Sequence, residues 1–382
     1  MTLSSTAQVS KRLYRLVELV EQEDLDCSMI TDPKSVYYLT GIAPQSLLSL
    51  VYSFSPPIYL LVFRDGEAIL LTAQKDEKAA RDVFDGKITT YVNYDLKERM
   101  IAYPDFILTR VKKIVDEKST HYKRVGIESW HTPRILMETF NNTEFIDLSR
   151  RILRWRAVKD SDELGAIRKS CELNDYAYSI ARSVSINGKS EIEVYSAVQE
   201  ELTKKVETYQ FFAGDVASGE RSLEMGGPPT SRRLNDGETF ILDLWLTWKG
   251  YWSDTSRTLV VGGKPTASQE RMLELLKTAM AAGEDKLRPG IKASEVYQAV
   301  LDVISSAGLG SRFPHHAGHG IGLDDQEAPF FIPGSTDVLE ENMTCTLEPG
   351  VYVPGIGGFR IEHDYLITKN KPERLTSHPL NL

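Results

Sequence analysis

Apolar residues recur at helical spacing near the start of the chain, at Leu13, Leu16, Val17, Leu19 and Val20, and predict a first helix. A short strand over 28–31 follows, then a loop and turn at Asp32-Pro33. Two continuous apolar runs, 58–63 and 68–71, flank Arg64-Asp65-Gly66-Glu67 and predict a β-hairpin joined by a glycine-containing turn. Residues 124–128 are a further strand candidate. This half reads as a small α/β domain with no cluster of metal-binding or nucleophilic residues, so its expected role is structural: covering, dimerising or shaping access to the second half. Segment 38–57 mixes apolar residues with Pro and Ser, a pattern compatible with a lid, a dimer contact or a plain buried loop.

Near 150–160 the pattern changes to a charged stretch that opens a long helix, with Asp160 or Ser161 as its cap. The expected domains are therefore 1–154 and 155–382. Ser190-Glu191-Ile192-Glu193 has the spacing of a capping box and starts a second helix. Helices over 267–286 and 294–307 are ended by Pro289-Gly290 and by Gly308. Strands are predicted over 239–247, 251–261, 344–347, 350–353 and 360–368. Helices against a largely antiparallel sheet make the second half α+β.

Charge narrows the function classes. The chain carries 54 acidic and 45 basic side chains, a net charge of −9, with no sustained Lys/Arg run, which argues against nucleic acid as the main partner. No apolar window of about 18 residues occurs, and the first residues are charged every few positions. Neither a membrane span nor a signal peptide is expected, and a cytoplasmic location is the default. The scattered cysteines Cys27, Cys171 and Cys345 have no disulfide or zinc-site spacing and read as buried thiols.

Candidate chemistry lies in the second half. Asp243 interrupts the apolar run Phe240-Ile241-Leu242-Asp243-Leu244, where an unpaired charge is costly to bury. Asp254 follows after a turn at Lys249-Gly250, so a hairpin brings the two together. His319 sits in Gly318-His319-Gly320-Ile321-Gly322, Glu348 precedes Pro349-Gly350, and Glu362 lies in Arg360-Ile361-Glu362. Each alone has a plainer reading, as a turn residue, an arginine partner or a structural histidine. Together, two Asp, two Glu and one imidazole suit two divalent ions such as Mn²⁺, Co²⁺ or Zn²⁺, without which like carboxylates do not stay ionised side by side.

The order, context and spacing of Asp243, Asp254, His319, Glu348 and Glu362 resemble the pita-bread metallopeptidase family of methionine aminopeptidases, aminopeptidase P and prolidases, over about residues 155–375. The charged entry from Trp155 to Arg168 and the preceding α/β domain resemble the prolidase and aminopeptidase P branch. The resemblance implies a pita-bread catalytic domain behind a creatinase-like N-terminal domain, a two-metal site, short-peptide substrates and a homodimer. It further implies Glu348 as the proton shuttle, Arg360 orienting ligands or a substrate carboxylate, and His315 contacting substrate, with His316 adjacent in register. The chain departs from the pattern twice: Gln326 stands where the family carries a histidine in His-Glu-x-Pro, and Gly226 where it carries one in Pro-His-Gly. A glutamine donates a hydrogen bond but no proton, which weakens stabilisation of an oxyanion. Three readings follow: an Xaa-Pro dipeptidase, a hydrolase or lyase of another small amide or zwitterion, and a non-catalytic pita-bread binding protein. The complete ligand set speaks against the last.

Overall fold

Asp32 accepts hydrogen bonds from the backbone N–H of Lys34 at 3.2 Å and of Ser35 at 3.3 Å, and Pro33 fills the first position of a helix. The loop and turn expected at Asp32-Pro33 are thus corrected to a helix start, because the cap oxygen satisfies orphan donors and proline lacks an N–H that would need a partner. The structure, a computed structural model, describes residues 3–42, 57–92, 103–119, 121–206 and 211–382. Most of the segment expected as a lid or contact, 43–56, lies outside the described residues. The chain divides into two compact units, Met1–Arg154 and Trp155–Leu382.

In the first unit, helix α1 (Leu3–Gln22) buries Leu16, Leu19 and Val20, and α2 (Pro33–Thr40) ends at Gly41 with φ 73°. Strands β1 (Cys27–Ile30), β2 (Tyr59–Phe63), β3 (Ala68–Ala73), β4 (Lys87–Tyr91), β5 (Arg124–Ile127) and β6 (Glu144–Asp147) form one mixed sheet in the order β4-β3-β2-β1-β5-β6. The expected hairpin is β2–β3, with Tyr59 paired to Leu71 and Val62 to Ala68. Its residues are buried all along both strands, which is why their sequence is a continuous apolar run and not an alternating one. Helices α3 (Glu77–Arg81), α4 (Tyr103–Lys118) and α5 (Arg134–Met137) complete this unit, and α6 (Ser149–Ala157) runs across the division.

The second unit begins with α7 (Ser161–Val184), capped at Asp160, and α8 (Glu191–Val206). The Ser190 N–H donates to Glu193 at 2.7 Å and the Glu193 N–H donates to the Ser190 hydroxyl at 3.3 Å, the reciprocal box expected there. An antiparallel sheet β7 (Phe212–Ser218), β8 (Thr239–Trp248) and β9 (Tyr251–Val260) is followed by α9 (Ala267–Glu284) and α10 (Ala293–Ser306). A second antiparallel sheet has the order β11-β10-β12-β15-β16, from β10 (His319–Gly320), β11 (Glu327–Phe330), β12 (Thr344–Leu347), β15 (His363–Leu366) and β16 (Glu373–Arg374). A separate ribbon pairs β13 (Gly350–Val353) with β14 (Gly357–Arg360). The single strand expected over 360–368 is therefore two: at Ile361 and Glu362 the backbone turns to other partners, Ile361 N–H to Pro349 O at 3.3 Å and Glu362 N–H to Ser256 O at 2.9 Å. The α+β class stands, and the three thiols are fully buried and unpaired. Among the described residues no helix is long and apolar enough to cross a membrane.

Candidate active site

Lys249 at φ 52° and Gly250 at φ 81° close β8 onto β9, with Trp248 paired to Tyr251. A two-residue turn with both φ positive matches the twist of its strands and fixes their register. The ladder then sets Asp243 opposite Ser256 and Asp254 opposite Trp245, so Asp254 is the diagonal neighbour of Asp243 on the same sheet face. On its other side β7 places Asp215 directly opposite Asp243.

The second sheet supplies the remaining groups. Leu347 pairs with His363, and Glu348 and Glu362 are the next residues outward on the two strands. Gly320 pairs with Cys345, and the His319 N–H donates to the Thr346 hydroxyl at 3.2 Å, which in turn donates to Glu348 Oε1 at 3.3 Å. The flanking glycines are required: a Cβ on Gly318 would lie 2.3 Å from Thr346 O, and one on Gly320 would lie 2.3 Å from Ala328 O. His319 Nδ1 is 3.0 Å from Gly320 O; a carbonyl only accepts, so Nδ1 carries the proton and Nε2 turns a lone pair toward the carboxylates. His319 Nε2 lies 3.7 Å from Asp254 and 3.5 Å from Glu348. Ligand atoms of Asp254, His319 and Glu362 fall within 4.8 Å of one another, and so do those of His316, His319 and Glu348.

The electrostatics are those of a carboxylate set suited to a cation. Asp243 Oδ1, Asp254 Oδ1 and both carboxylate oxygens of Glu362 are buried without a hydrogen-bond partner. Native interiors rarely tolerate such atoms. Burial, with Glu348 and Asp215 adding to it against Arg360, raises Asp243 to about 6. Burial and repulsion from the other carboxylates push Asp254 and Glu362 up as well. Glu348 goes the other way: burial acts to raise it, but the imidazoles of His316, His319 and His315 outweigh that and hold it at about 2. A divalent cation would partner the orphaned oxygens and remove the repulsion, so the residues fit a metal.

Arg360 binds Asp243 Oδ2 through Nη2, Met225 O and the Tyr352 hydroxyl through Nη1 at 2.5 and 3.1 Å, and the Ser256 hydroxyl through Nε at 3.1 Å. It orients a predicted ligand. His315 joins the same group through Tyr352, its Nε2 being 3.0 Å from the phenolic oxygen, and burial lowers it to about 4. His316 reaches Glu348 as His319 does, with Nδ1 3.2 Å from Oε1. Gln326 is exposed in the bend before β11, and among the described residues no hydrogen bond or ion pair joins it to the cluster. The structure thus brings Asp243, Asp254, His319, Glu348, Glu362 and Arg360 together, ties His315 to them through Tyr352, and leaves Gln326 apart. Sequence reasoning named His316 only as the neighbour of His315 in register and missed Tyr352 and Asp215; for Tyr352 the one signal was its place two residues into the strand after Pro349-Gly350, and for Asp215 there was none, since β7 has no clear period.

Known proteins share this architecture along nearly the whole chain. An uncharacterized peptidase of Staphylococcus aureus (strain USA300) is 28% identical over 372 residues, 96% of this chain and 99% of that protein. The prolidase from Pyrococcus horikoshii OT3 is similar with a TM-score of 0.82 at 28% identity, covering 97% of this chain and 99% of its own. The Xaa-Pro dipeptidase from Bacillus anthracis is similar with a TM-score of 0.84 at 27% identity, covering 98% and 99%. Residues 12–158 match the creatinase/prolidase N-terminal domain, and the carboxylates and histidine described above all lie within residues 165–369, which match a peptidase family whose members use divalent metal ions. The chain belongs to metallopeptidase family M24.

Proposed function

We propose that this chain is a metal-dependent dipeptidase that hydrolyses the bond before proline in Xaa-Pro dipeptides, with two divalent ions (Mn²⁺, Co²⁺ or Zn²⁺) held by Asp243, Asp254, His319, Glu348 and Glu362. The observation that carries the reading is the set of buried, unpartnered carboxylate oxygens around His319. The names of the similar solved proteins, a prolidase and an Xaa-Pro dipeptidase, supply the substrate class. When bound, the ions acidify a water and polarise the scissile carbonyl. Glu348, kept ionised by its imidazole neighbours, accepts the proton and returns it to the leaving amine. Arg360 fixes the carboxylate of Asp243, and His315 and Gln326 contribute polar contacts to the substrate. In the same reading residues 1–154 form a domain that restricts access, and the protein works as a homodimer in the cytoplasm, which sedimentation would report as twice the chain mass.

The test is hydrolysis of Xaa-Pro, Pro-Xaa, Xaa-Ala and Xaa-Pro-Xaa peptides by protein reconstituted with each metal, against a chelated control. Release of proline from Xaa-Pro dipeptides that disappears on chelation is expected. Folded, metal-loaded protein that cleaves none of them overturns the proposal. Gly226 and Gln326, in place of two imidazoles, favour a second reading in which the site hydrolyses another small amide or zwitterion.

A further inference from the structure

Asp215 is a carboxylate at the site for which the reaction above has no use. It stands opposite Asp243 in the β7–β8 ladder, with its side chain 34% exposed. The carboxylates of Asp243, Asp254, Glu348 and Glu362 are already the charge complement of two divalent ions, so Asp215 lies beyond that complement. Among the described residues, the cation within ion-pair range of Asp215 is Arg360, at 4.0 Å. The guanidinium of Arg360 is engaged elsewhere: Nε on Ser256, both Nη1 hydrogens on Met225 O and Tyr352, and Nη2 on Asp243. Of its five N–H donors one is left, which is no fork for a substrate carboxylate.

The residue facing Asp215 accounts for its fit. A Cβ on Gly226 would lie 2.2 Å from Asp215 Oδ2 and 2.6 Å from its Cγ. The space that a side chain at position 226 would take is therefore filled by the Asp215 carboxylate. Where the resembled family carries the imidazole of Pro-His-Gly, this chain presents an acceptor of negative charge.

Resting on the metallopeptidase reading above, we propose that Asp215 is a specificity-determining residue that favours substrates carrying a positively charged group, an ammonium or guanidinium, beside Asp243 and disfavours a free carboxylate there. Isothermal titration of the metal-loaded full chain with L-prolinamide, a cation, and N-acetyl-L-proline, an anion, tests this directly. Wild type binds the cation more tightly, and Asp215→Asn reduces that preference on the order of tenfold, the range for a hydrogen bond to a charged group. Asp215→Ala carries the same comparison if the Asn variant does not fold, and elemental analysis checks that the metal content of either is unchanged. Equal or reversed affinities in wild type, no binding of prolinamide, or a preference that survives in both variants overturns the proposal. Peptide cleavage by the same preparations is scored separately: failure to cleave Xaa-Pro removes the dipeptidase reading, while the ratio of the two probes still decides the role of Asp215.

Discussion

Two glutamates, one in each unit, are buried almost equally and live in opposite surroundings. Glu128 is 2% exposed, and its Oε2 accepts the backbone N–H groups of Thr31 and Asp32, both at 2.9 Å. Glu362 is 1% exposed, and neither of its oxygens has a partner. Burial raises the pKa of both, with a neighbouring carboxylate adding to it in each case, so neither depth nor a shifted titration separates them. The difference lies in satisfaction. Glu128 closes the backbone between β1 and α2 and is complete within the fold, whereas the fold itself offers the oxygens of Glu362 no hydrogen-bond partner.

The largest effect should come from breaking that contrast on the Glu362 side. Glu362→Gln should lower retained metal, read by elemental analysis after dialysis, and cut turnover by roughly 100-fold, the upper range for a group that only supports a metal ligand. Glu128→Ala should leave metal content intact and instead strand two buried N–H donors, at a cost of about 2 kcal/mol visible as a lower denaturant midpoint. Equal metal content in the Glu362 variant and wild type would place the two glutamates in one structural class.

A second effect sharpens the comparison through pH. Asp243, raised to about 6, and Asp254 and Glu362, raised with it, hold their protons more tightly in the metal-free folded chain than in the unfolded one. Their contribution to metal-free stability is present below the unfolded carboxylate range, about 4, and is lost as pH rises through the folded values. Metal binding needs the same groups deprotonated, so the rise in Tm caused by Mn²⁺ should be larger at pH 7 than at pH 5. Glu128 contributes alike with and without metal and cancels from that difference. A metal increment that is flat with pH would mean these carboxylates are not the ligands.

The sequence made this contrast only partly legible, for reasons that particular residues illustrate. Asp243 and Asp254 were readable because a two-residue turn and ten-residue strands carry their relation locally. His319, Glu348 and Glu362 each stand in a short context of glycine, proline or arginine that survives out of structure. Partner satisfaction is not local: the donors to Glu128 lie 96 and 97 positions away, and nothing near Glu362 in sequence announces that its oxygens are empty. The same limit left His315 and His316 unseparated in register, because only packing shows that His315 meets Tyr352 and His316 meets Glu348. Asp32-Pro33 failed differently, since cap and first helical residue share their signature with a turn. Strand β7 failed because Ala213, Gly214, Asp215 and Ser218 give it no period.

The smallest effect concerns Gly226, and it asks whether the open side of the site tolerates the side chain that the family carries. Gly226→His introduces a Cβ 2.2 Å from Asp215 Oδ2, the far end of a short side chain that is partly exposed and can swing outward. The expected cost is therefore at the low end of overpacking, about 1 kcal/mol, far below what a backbone collision would demand. Asp215→Ala in the same chain should recover most of it, and a double-mutant cycle on denaturant midpoints should return a coupling of at least about 0.5 kcal/mol. Additive losses would mean that Gly226 is held by something other than Asp215. Coupling would show that the Asp215 carboxylate occupies the space a side chain at 226 needs, so that this flank of the site, unlike the surroundings of Glu128, takes a carboxylate on β7 or an imidazole at 226 but not both without strain.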